Sequence, residues 1–304
     1  MNSERQRALI LGGGGAVGVA WEVGVLAGLA AAGIDLTGIH IAGSNTPNVI
    51  LGTSAGSIVG AMLSTHHIDD LLELSTSDSS SKVIEEVVPM LDFAAMAETF
   101  AMWQNISPDA PANLARVCEL AANTKSISEE RWVGSMAENL KAGWPDPRFR
   151  CTAVDTATGQ RMVWTADSQV DVAAAVASSC SVPSIFPSVT ITSNGYTSRY
   201  TDGGVHSGTS IDLASSVDRI LVLAPIGSWA GDTLDAVAAA GVRSETAIAE
   251  SAGSSVRCMF TDDATNQATL LTPLGRMDPM SRQPAVEHGI RQGKELAAQL
   301  AGWW

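Results

Sequence analysis

Ser54 is the first residue whose surroundings predict chemistry. It stands in the segment Gly52-Thr53-Ser54-Ala55-Gly56, which has the pattern G-x-S-x-G. The apolar run 48–51 precedes this segment, and residues 57–63 after it can form a helix. A strand, a serine and a helix in this order predict a nucleophile elbow, a sharp turn that projects the serine hydroxyl toward substrate. The small neighbours Gly52, Ala55 and Gly56 permit such a turn. A serine that merely caps the helix is the alternative interpretation.

A run of four glycines is the second candidate. Gly12, Gly13, Gly14 and Gly15 follow the short apolar segment 8–11 and precede a run with helical character. Glycines at the start of a helix expose backbone N–H groups, and such groups bind a phosphate or a developing oxyanion. The run therefore predicts an anion-binding loop at the end of the first strand.

The third candidate is an aspartate followed by two glycines. Asp202, Gly203 and Gly204 come directly after a strand-like segment. Because glycine has no side chain, the carboxylate here can approach another part of the backbone closely. An ordinary turn aspartate is the alternative.

These three motifs, in this order, resemble the signature of the patatin-like phospholipases. The resemblance implies that Ser54 is the nucleophile, that Asp202 is its only partner, and that the backbone of Gly12 to Gly15 forms the oxyanion hole, to which we expect the Ala55 N–H to contribute. Segments 177–187 and 276–280 also resemble the family. The implied activity is that of a serine acyl hydrolase, a lipase, esterase or phospholipase A that cleaves carboxylic esters of lipids through an acyl-enzyme. No cofactor is implied.

One position departs from that family pattern. Val17 stands where the family usually has arginine or lysine, a cation that helps to order the glycine loop. The backbone donors do not depend on it, so the departure bears on efficiency rather than on the class of reaction. It also leaves open a non-catalytic protein that binds acyl groups or lipids.

Two further alternatives use other residues. In a histidine-dependent α/β-hydrolase the order is serine, aspartate, histidine, and both His206 and His288 follow Asp202 in the chain. A dinucleotide-binding protein would use Gly13, Gly15 and Gly18 as G-x-G-x-x-G and an acid about 20 residues later, for which only Asp35 is near. The segment 33–38 around that aspartate is too short and too rich in glycine to make a good strand.

Composition narrows the class of partner. The 304 residues carry a net charge of −14, which repels nucleic acid and anionic bilayers and favours a soluble esterase with, at most, peripheral contact with a membrane. No apolar run is long enough to span a membrane, and the polar start lacks a signal-peptide core. The cysteines Cys118, Cys151, Cys180 and Cys258 lack metal-ligand spacing, and we expect Cys151 and Cys258 to be buried thiols. These features predict a cytoplasmic protein without a metal.

The apolar runs alternate between strand and helix along the chain. They predict strands at about 8–11 and 48–52, helices at about 18–32 and 54–65, and later a hairpin around residues 193–195. This alternation favours a three-layer α/β/α fold with a mainly parallel central sheet. We expect a single domain over residues 1–304, with a cap-like helical segment at about 68–147. Methionines and tryptophans in that segment suit an acyl-chain pocket or plain helix packing.

Overall fold

A central sheet of mostly parallel strands organises the chain, as the sequence predicts. The computed structural model describes residues 5–38, 45–63, 65–77, 79–107, 109–140, 142–227, 233–269 and 275–304. The strands are β1 Arg7–Leu11, β2 Val49–Gly52, β3 Phe149–Asp155, β4 Arg161–Trp164, β5 Val189–Ser193, β6 Tyr196–Asp202, β7 Arg219–Ala224 and β8 Ser255–Phe260. Their order across the sheet is β5-β6-β3-β2-β1-β7-β8, with β4 paired to β3. β3, β2, β1, β7 and β8 run parallel to one another, whereas β4, β5 and β6 pair antiparallel.

Helices connect these strands and cover both faces of the sheet. They are α1 Gly15–Ala31, α2 Ala55–Leu63, α3 Ile68–Thr76, α4 Ser79–Val87, α5 Phe93–Trp103, α6 Pro111–Ala122, α7 Glu129–Ala137, α8 Val172–Ser179, α9 Thr233–Ser251, α10 Asp263–Ala268 and α11 Arg282–Leu300. The predicted helices at 18–32 and 54–65 correspond to α1 and α2. The segment 68–147 contains α3 to α7, in agreement with its helical pattern.

Alternate residues of the central strands pack into different cores. In β1, Leu9 and Leu11 belong to the core under α1, α2, α8 and α11, whereas Ala8 and Ile10 belong to the core under α9. On that second face, α5 and α6 pack against Val154 of β3. Because successive side chains of a strand point to opposite faces, both faces of a sheet covered in this way must be apolar. The three layers therefore follow from the continuous apolar runs in the sequence.

The hairpin between β5 and β6 forms where the sequence predicts it. Asn194 and Gly195 both have positive φ, 51° and 79°, which is the backbone of a tight two-residue hairpin turn. The following strand, β6, ends at Asp202. The hairpin thus places Asp202 at the end of the sheet where the parallel strands β1 and β2 also end.

The structure corrects the expectation for Cys258 and agrees with the sequence argument about Asp35. Cys151 is buried, but Cys258 is only partly buried, because β8 is an edge strand of the sheet. The dinucleotide-binding alternative needs an acid at the end of a second strand. Asp35 instead accepts hydrogen bonds from the Thr37 backbone and hydroxyl in an exposed turn, and β2 begins only at Val49.

Candidate active site

Ser54 occupies a strained turn between β2 and α2. Its φ is +51°, a left-handed conformation that is uncommon for a residue with a side chain. The turn is also tight: a Cβ built on Gly56 would lie 2.1 Å from the Leu11 carbonyl oxygen, and one on Gly52 would lie 2.3 Å from the Gly56 carbonyl oxygen. Both glycines of the G-x-S-x-G motif are therefore required by sterics.

Side chains from elsewhere in the chain hold this turn on both sides. The Ser54 backbone N–H donates to the Ser179 hydroxyl oxygen at 2.9 Å. The Ser54 carbonyl oxygen accepts from the Ser57 hydroxyl at 2.7 Å and from the Cys180 thiol at 3.2 Å. The turn and all these partners are buried, so their packing and hydrogen bonds hold the backbone of Ser54 in its strained conformation. Such strain is common at functional sites, where a side chain needs a fixed direction.

The segment that follows α8 also holds the aspartate. The Ser181 carbonyl oxygen accepts hydrogen bonds from the Asp202 backbone N–H at 3.0 Å and from the Thr201 hydroxyl at 2.7 Å. Ser179, two residues earlier, holds Ser54. Residues 179–181 therefore connect the two candidate catalytic residues through hydrogen bonds, and we call them the bridging segment.

Asp202 is a buried carboxyl group with one free oxygen. Its Oδ1 accepts the Gly204 backbone N–H at 2.7 Å, whereas Oδ2 is buried and has no hydrogen-bond partner within the described residues. Burial raises the pKa of Asp202 from 3.8 to about 7, although the Gly204 hydrogen bond and an interaction with the Ser54 side chain both lower it. A carboxyl group with this pKa can exchange a proton near neutral pH.

Ser54 and Asp202 face the same cleft. The serine is close enough to the carboxyl group to lower its pKa, yet no hydrogen bond of 3.5 Å or less joins the two side chains. Catalytic hydrogen bonds are often longer without substrate than in the reacting complex.

The glycine loop lies beside the serine, but its amides are not equivalent. A Cβ on Gly13 would lie 3.5 Å from the Ser54 Cβ. The N–H groups of Gly12 and Gly13 already donate to the carbonyl oxygens of Leu223 and Gly208, both at 2.9 Å, so they are not free to bind an oxyanion. For Gly14, Gly15 and Ala55, the described residues offer no acceptor, and these three amides remain available.

The histidines occupy different places. His206 lines the cleft with Ser54 and Asp202, and burial, followed by the nearby Arg161, lowers its pKa. In the described part of the chain, no hydrogen bond joins it to either residue. His288 lies on α11, where Nδ1 is 3.4 Å from the Thr265 hydroxyl, and it lines neither cavity at the serine. No cluster of metal-binding side chains occurs among the described residues.

Two cavities open from Ser54. The first, which we call the apolar cavity, has a volume of about 140 Å³, and its walls include Ile58, Met62, Val83, Ile84, Trp132 and Met136. The second, which we call the polar cleft after the polar residues of the site, has a volume of about 610 Å³. Its walls include Gln104, Asp202, His206, Thr209, Glu245 and Arg276, beside apolar side chains such as Trp103 and Val242. The helical segment 68–147 contributes to both.

Three residues near the site were not found from the sequence. Ser179 and Ser181 lie in the serine-rich segment 177–187, but their hydrogen-bond partners Ser54, Thr201 and Asp202 are far away in the chain. Glu22 is fully buried on α1, neither carboxylate oxygen has a partner in the described part of the molecule, and burial raises its pKa well above the usual value despite the nearby Gly12 N–H. The sequence does carry a signal for Glu22, because it is the one charged residue of the otherwise apolar helix α1.

Comparison with known proteins identifies the family. The family model described as patatin-like phospholipase matches residues 9–215, which is more than half of the chain and includes Ser54, Asp202 and the glycine loop. The chain belongs to the patatin-like phospholipase family. Membership supports a lipid ester hydrolase function for this patatin-like protein and agrees with the resemblance inferred from its motifs.

Other comparisons add little to this assignment. The crystal structure of VipD from Legionella pneumophila matches this patatin-like chain with a TM-score of 0.43 and 14% identity, covering 98% of this chain and 67% of that one. A search of curated proteins finds no match. No helix in the described ranges combines the length and apolar character that crossing a bilayer requires.

Proposed function

We propose that this protein is a serine acyl hydrolase that cleaves carboxylic esters of lipids through a Ser54–Asp202 dyad. The observation that carries the proposal is the free oxygen of Asp202. A buried carboxylate oxygen without a partner is costly, and its residue lines the same cleft as a serine on a strained turn. If Asp202 Oδ2 accepts the proton of the Ser54 hydroxyl, the unpaired oxygen and the strained turn both have a catalytic role.

The reaction begins with attack of the Ser54 hydroxyl oxygen on the ester carbonyl carbon. The hydroxyl proton passes to Asp202 Oδ2 as the new C–O bond forms. A carboxyl group with a pKa of about 7 accepts that proton far more readily than an exposed aspartate, whose pKa is near 4. No histidine is required between the two groups.

The tetrahedral oxyanion is stabilised by the amides of Gly14, Gly15 and Ala55. Two of these donors belong to the first residues of helices α1 and α2, so the helix dipoles add to the stabilisation. Loss of one such donor typically costs about 10²–10³ in rate. Because these donors are backbone groups, Val17 in place of a cation leaves them intact.

Collapse of the intermediate breaks the bond to the alcohol. The departing oxygen takes the proton from Asp202, which leaves an ester between Ser54 and the acyl group. A water molecule then attacks this acyl-enzyme, Asp202 accepts one of its protons, and Ser54 recovers its hydroxyl as the acid departs. Atoms and charge balance over the cycle without a cofactor.

The proposed domain organisation follows from the walls of the site. We propose that the whole chain forms one acyl hydrolase unit in which α3, α4, α5 and α7 cover the serine. Residues from α4 and α7 line the apolar cavity, and residues from α5 line the polar cleft. Removal of the segment 68–147 would therefore expose the site to water.

Covalent labelling tests the proposal directly. A fluorophosphonate is expected to label Ser54 in the wild-type protein, as mapped by mass spectrometry, and p-nitrophenyl esters are expected to be hydrolysed. Ser54→Ala and Asp202→Asn should fold but lose this activity, whereas His206→Ala should retain most of it. Loss of activity in His206→Ala, with Asp202→Asn still active, would replace the dyad by a histidine-dependent mechanism.

A further inference from the structure

We propose that the apolar cavity binds the acyl chain of the substrate and that the polar cleft binds its alcohol. The assignment rests on the proposed function, which it deepens by naming the substrate: an ester of one medium-length acyl chain with a bulky alcohol that carries both hydroxyl groups and apolar parts. Membership of the family does not by itself say which cavity of this chain takes the acyl chain and which takes the alcohol.

The two cavities meet at the nucleophile. Gly15, Ser54, Val182 and Met277 line both of them. Every other wall residue belongs to one side only, including Asp202, which lines the polar cleft alone. An ester bound at Ser54 must therefore extend one arm into each cavity.

The position of Asp202 decides which arm lies where. In the collapse step, the oxygen of the leaving alcohol receives its proton from Asp202, so this oxygen must lie within hydrogen-bond reach of the carboxyl group. The alcohol therefore leaves through the polar cleft. Besides the oxyanion and the bonds to Ser54 and the alcohol, the acyl carbon carries only its hydrocarbon chain. For this chain the remaining direction from Ser54 is the apolar cavity.

The apolar cavity suits a hydrocarbon chain of limited length. It follows one face of α2, on which Ala55, Ile58 and Met62 are successive wall residues. Met62 is seven positions after Ala55, and at a helical rise of about 1.5 Å per residue the two are about 10 Å apart along the axis of α2. An extended chain advances about 1.2 Å per bond, a third of the span of one extended residue. We therefore expect an optimum of about eight carbons.

Tryptophan and phenylalanine form one wall of this cavity. The rings of Trp132 and Phe186 stack with centroids 4.0 Å apart, and the Trp132 indole N–H donates to the Ala177 carbonyl and the Ser181 hydroxyl, both at 3.1 Å. The indole is thus anchored to the bridging segment, and only apolar ring surface remains for a ligand. A fixed apolar wall of this kind favours methylene groups over polar ones.

The polar cleft adds hydrogen-bonding and charged groups to walls that are otherwise largely apolar, as those of the apolar cavity are. Its walls carry hydrogen-bonding groups, among them Gln104, Ser107 and Thr209. Glu245, which also lines it, is held by the Thr209 hydroxyl and the Ile211 N–H, both at 2.9 Å. Its volume of about 610 Å³ exceeds the 140 Å³ of the apolar cavity. These features suit a large alcohol that combines hydroxyl groups with apolar parts.

Two series of esters and two filling substitutions test this assignment. The first series holds p-nitrophenol constant and varies the acyl chain from two to sixteen carbons. The second holds the octanoyl group constant and varies the alcohol among methanol, glycerol and glucose. Ile58→Phe fills the apolar cavity one helical turn from Ser54. Gly241→Leu fills the polar cleft, since a Cβ on Gly241 meets no atom within 4 Å. Ile248→Phe, on an exposed position, is the matched control for Ile58→Phe.

Each variant is expected to change one series only. A buried methylene contributes about 0.8 kcal/mol, or about fourfold in kcat/KM. Loss of room for two methylenes in Ile58→Phe should therefore lower the ratio of kcat/KM for the eight-carbon ester to that for the four-carbon ester by about 15-fold or more. Met62→Ala, at the far end, should move the optimum to longer chains. Gly241→Leu should lower kcat/KM for the glucose ester relative to the methyl ester by about fivefold, without moving the acyl optimum.

The outcomes separate this inference from the function on which it rests. If Ile58→Phe alters the alcohol series and Gly241→Leu alters the acyl series, the ester binds in the opposite direction and the assignment is overturned. Equal profiles for Ile58→Phe and Ile248→Phe also overturn it. In both cases the wild-type protein still hydrolyses esters. If instead the wild-type protein hydrolyses no ester of either series and Ser54 resists the fluorophosphonate, the proposed function itself is wrong.

Discussion

Replacing Trp103 with alanine is expected to lower the pH at which hydrolysis is half-maximal. Trp103 covers the aspartate loop: its indole N–H donates to the Gly204 carbonyl oxygen at 3.0 Å. A Cβ on Gly204 would lie 2.9 Å from Asp202 Oδ1 and 3.3 Å from the Trp103 ring. Because the ring and the carboxyl group flank the same point, removal of the ring admits water to the carboxyl group.

The size of the effect follows from the pKa of Asp202. Burial is the main cause that raises this pKa from 3.8 to about 7. In the proposed mechanism Asp202 must be ionised to accept a proton, so kcat/KM should fall about tenfold per pH unit below pH 7. If restored hydration lowers the pKa by about one unit, the active fraction at pH 5.5 rises from about 3% to about 24%, an eightfold gain relative to the plateau.

A pH profile of kcat/KM from pH 4.5 to 9 measures this shift. Trp103→Phe is the matched control, because phenylalanine keeps the apolar cover and removes only the indole hydrogen bond. We expect the phenylalanine variant to retain a midpoint near pH 7 and the alanine variant to have a lower one. An unchanged midpoint in the alanine variant, at a reduced plateau, would show that burial of Asp202 by this wall does not set the activity profile.

Three other substitutions test the energetics of the site. Asp202→Asn should stabilise the protein at pH 8. The raised native pKa of Asp202 makes the free energy of unfolding fall as pH rises from 3.8 to about 7, and this interval of about three pKa units corresponds to a loss of at most about 4 kcal/mol. A lower free energy of unfolding in urea for the variant would contradict this. Ser179→Ala should cost about 1–3 kcal/mol and lower kcat, because the buried Ser54 N–H loses its acceptor, whereas Ser179→Thr, which keeps the hydroxyl, should lose less. Glu22→Gln should stabilise the protein more at pH 8 than at pH 4. Burial raises the native pKa of Glu22, and above that pKa each unit of the shift lowers the free energy of unfolding of the wild-type protein by about 1.4 kcal/mol. The same difference in free energy of unfolding between variant and wild type at both pH values would contradict this.

Local patterns in the sequence were sufficient for the layered fold. Apolar runs such as 8–11 and 48–52 predicted strands, and the tight turn at Asn194 and Gly195 followed from residue types alone. These features depend on neighbours within a few positions. Cys258 shows the limit, because a strand-like run does not indicate whether its strand lies at the centre or at the edge of the sheet.

The candidate catalytic residues were also readable, but their states were not. The motifs singled out Ser54 and Asp202, since few chemistries use a serine and an aspartate each set beside glycines. The pKa of the aspartate depends on burial by distant side chains such as Trp103, which no local pattern encodes. The sequence likewise suggested the amides of Gly12 to Gly15 as oxyanion donors, whereas pairing with Leu223 and Gly208 occupies those of Gly12 and Gly13.

What the amino-acid sequence by itself determined is therefore the alternation of strands and helices, the family, and the side chains available for catalysis. Only the tertiary structure decided which amides remain free, how the bridging segment joins the serine to the aspartate, and on which side of the serine each cavity lies. The physical reason is that these properties are contacts between atoms far apart in the chain: Ser179, which holds Ser54, is 125 residues away from it. Hydrogen-bond satisfaction and burial are set by packing, and packing exists only once the layers have come together.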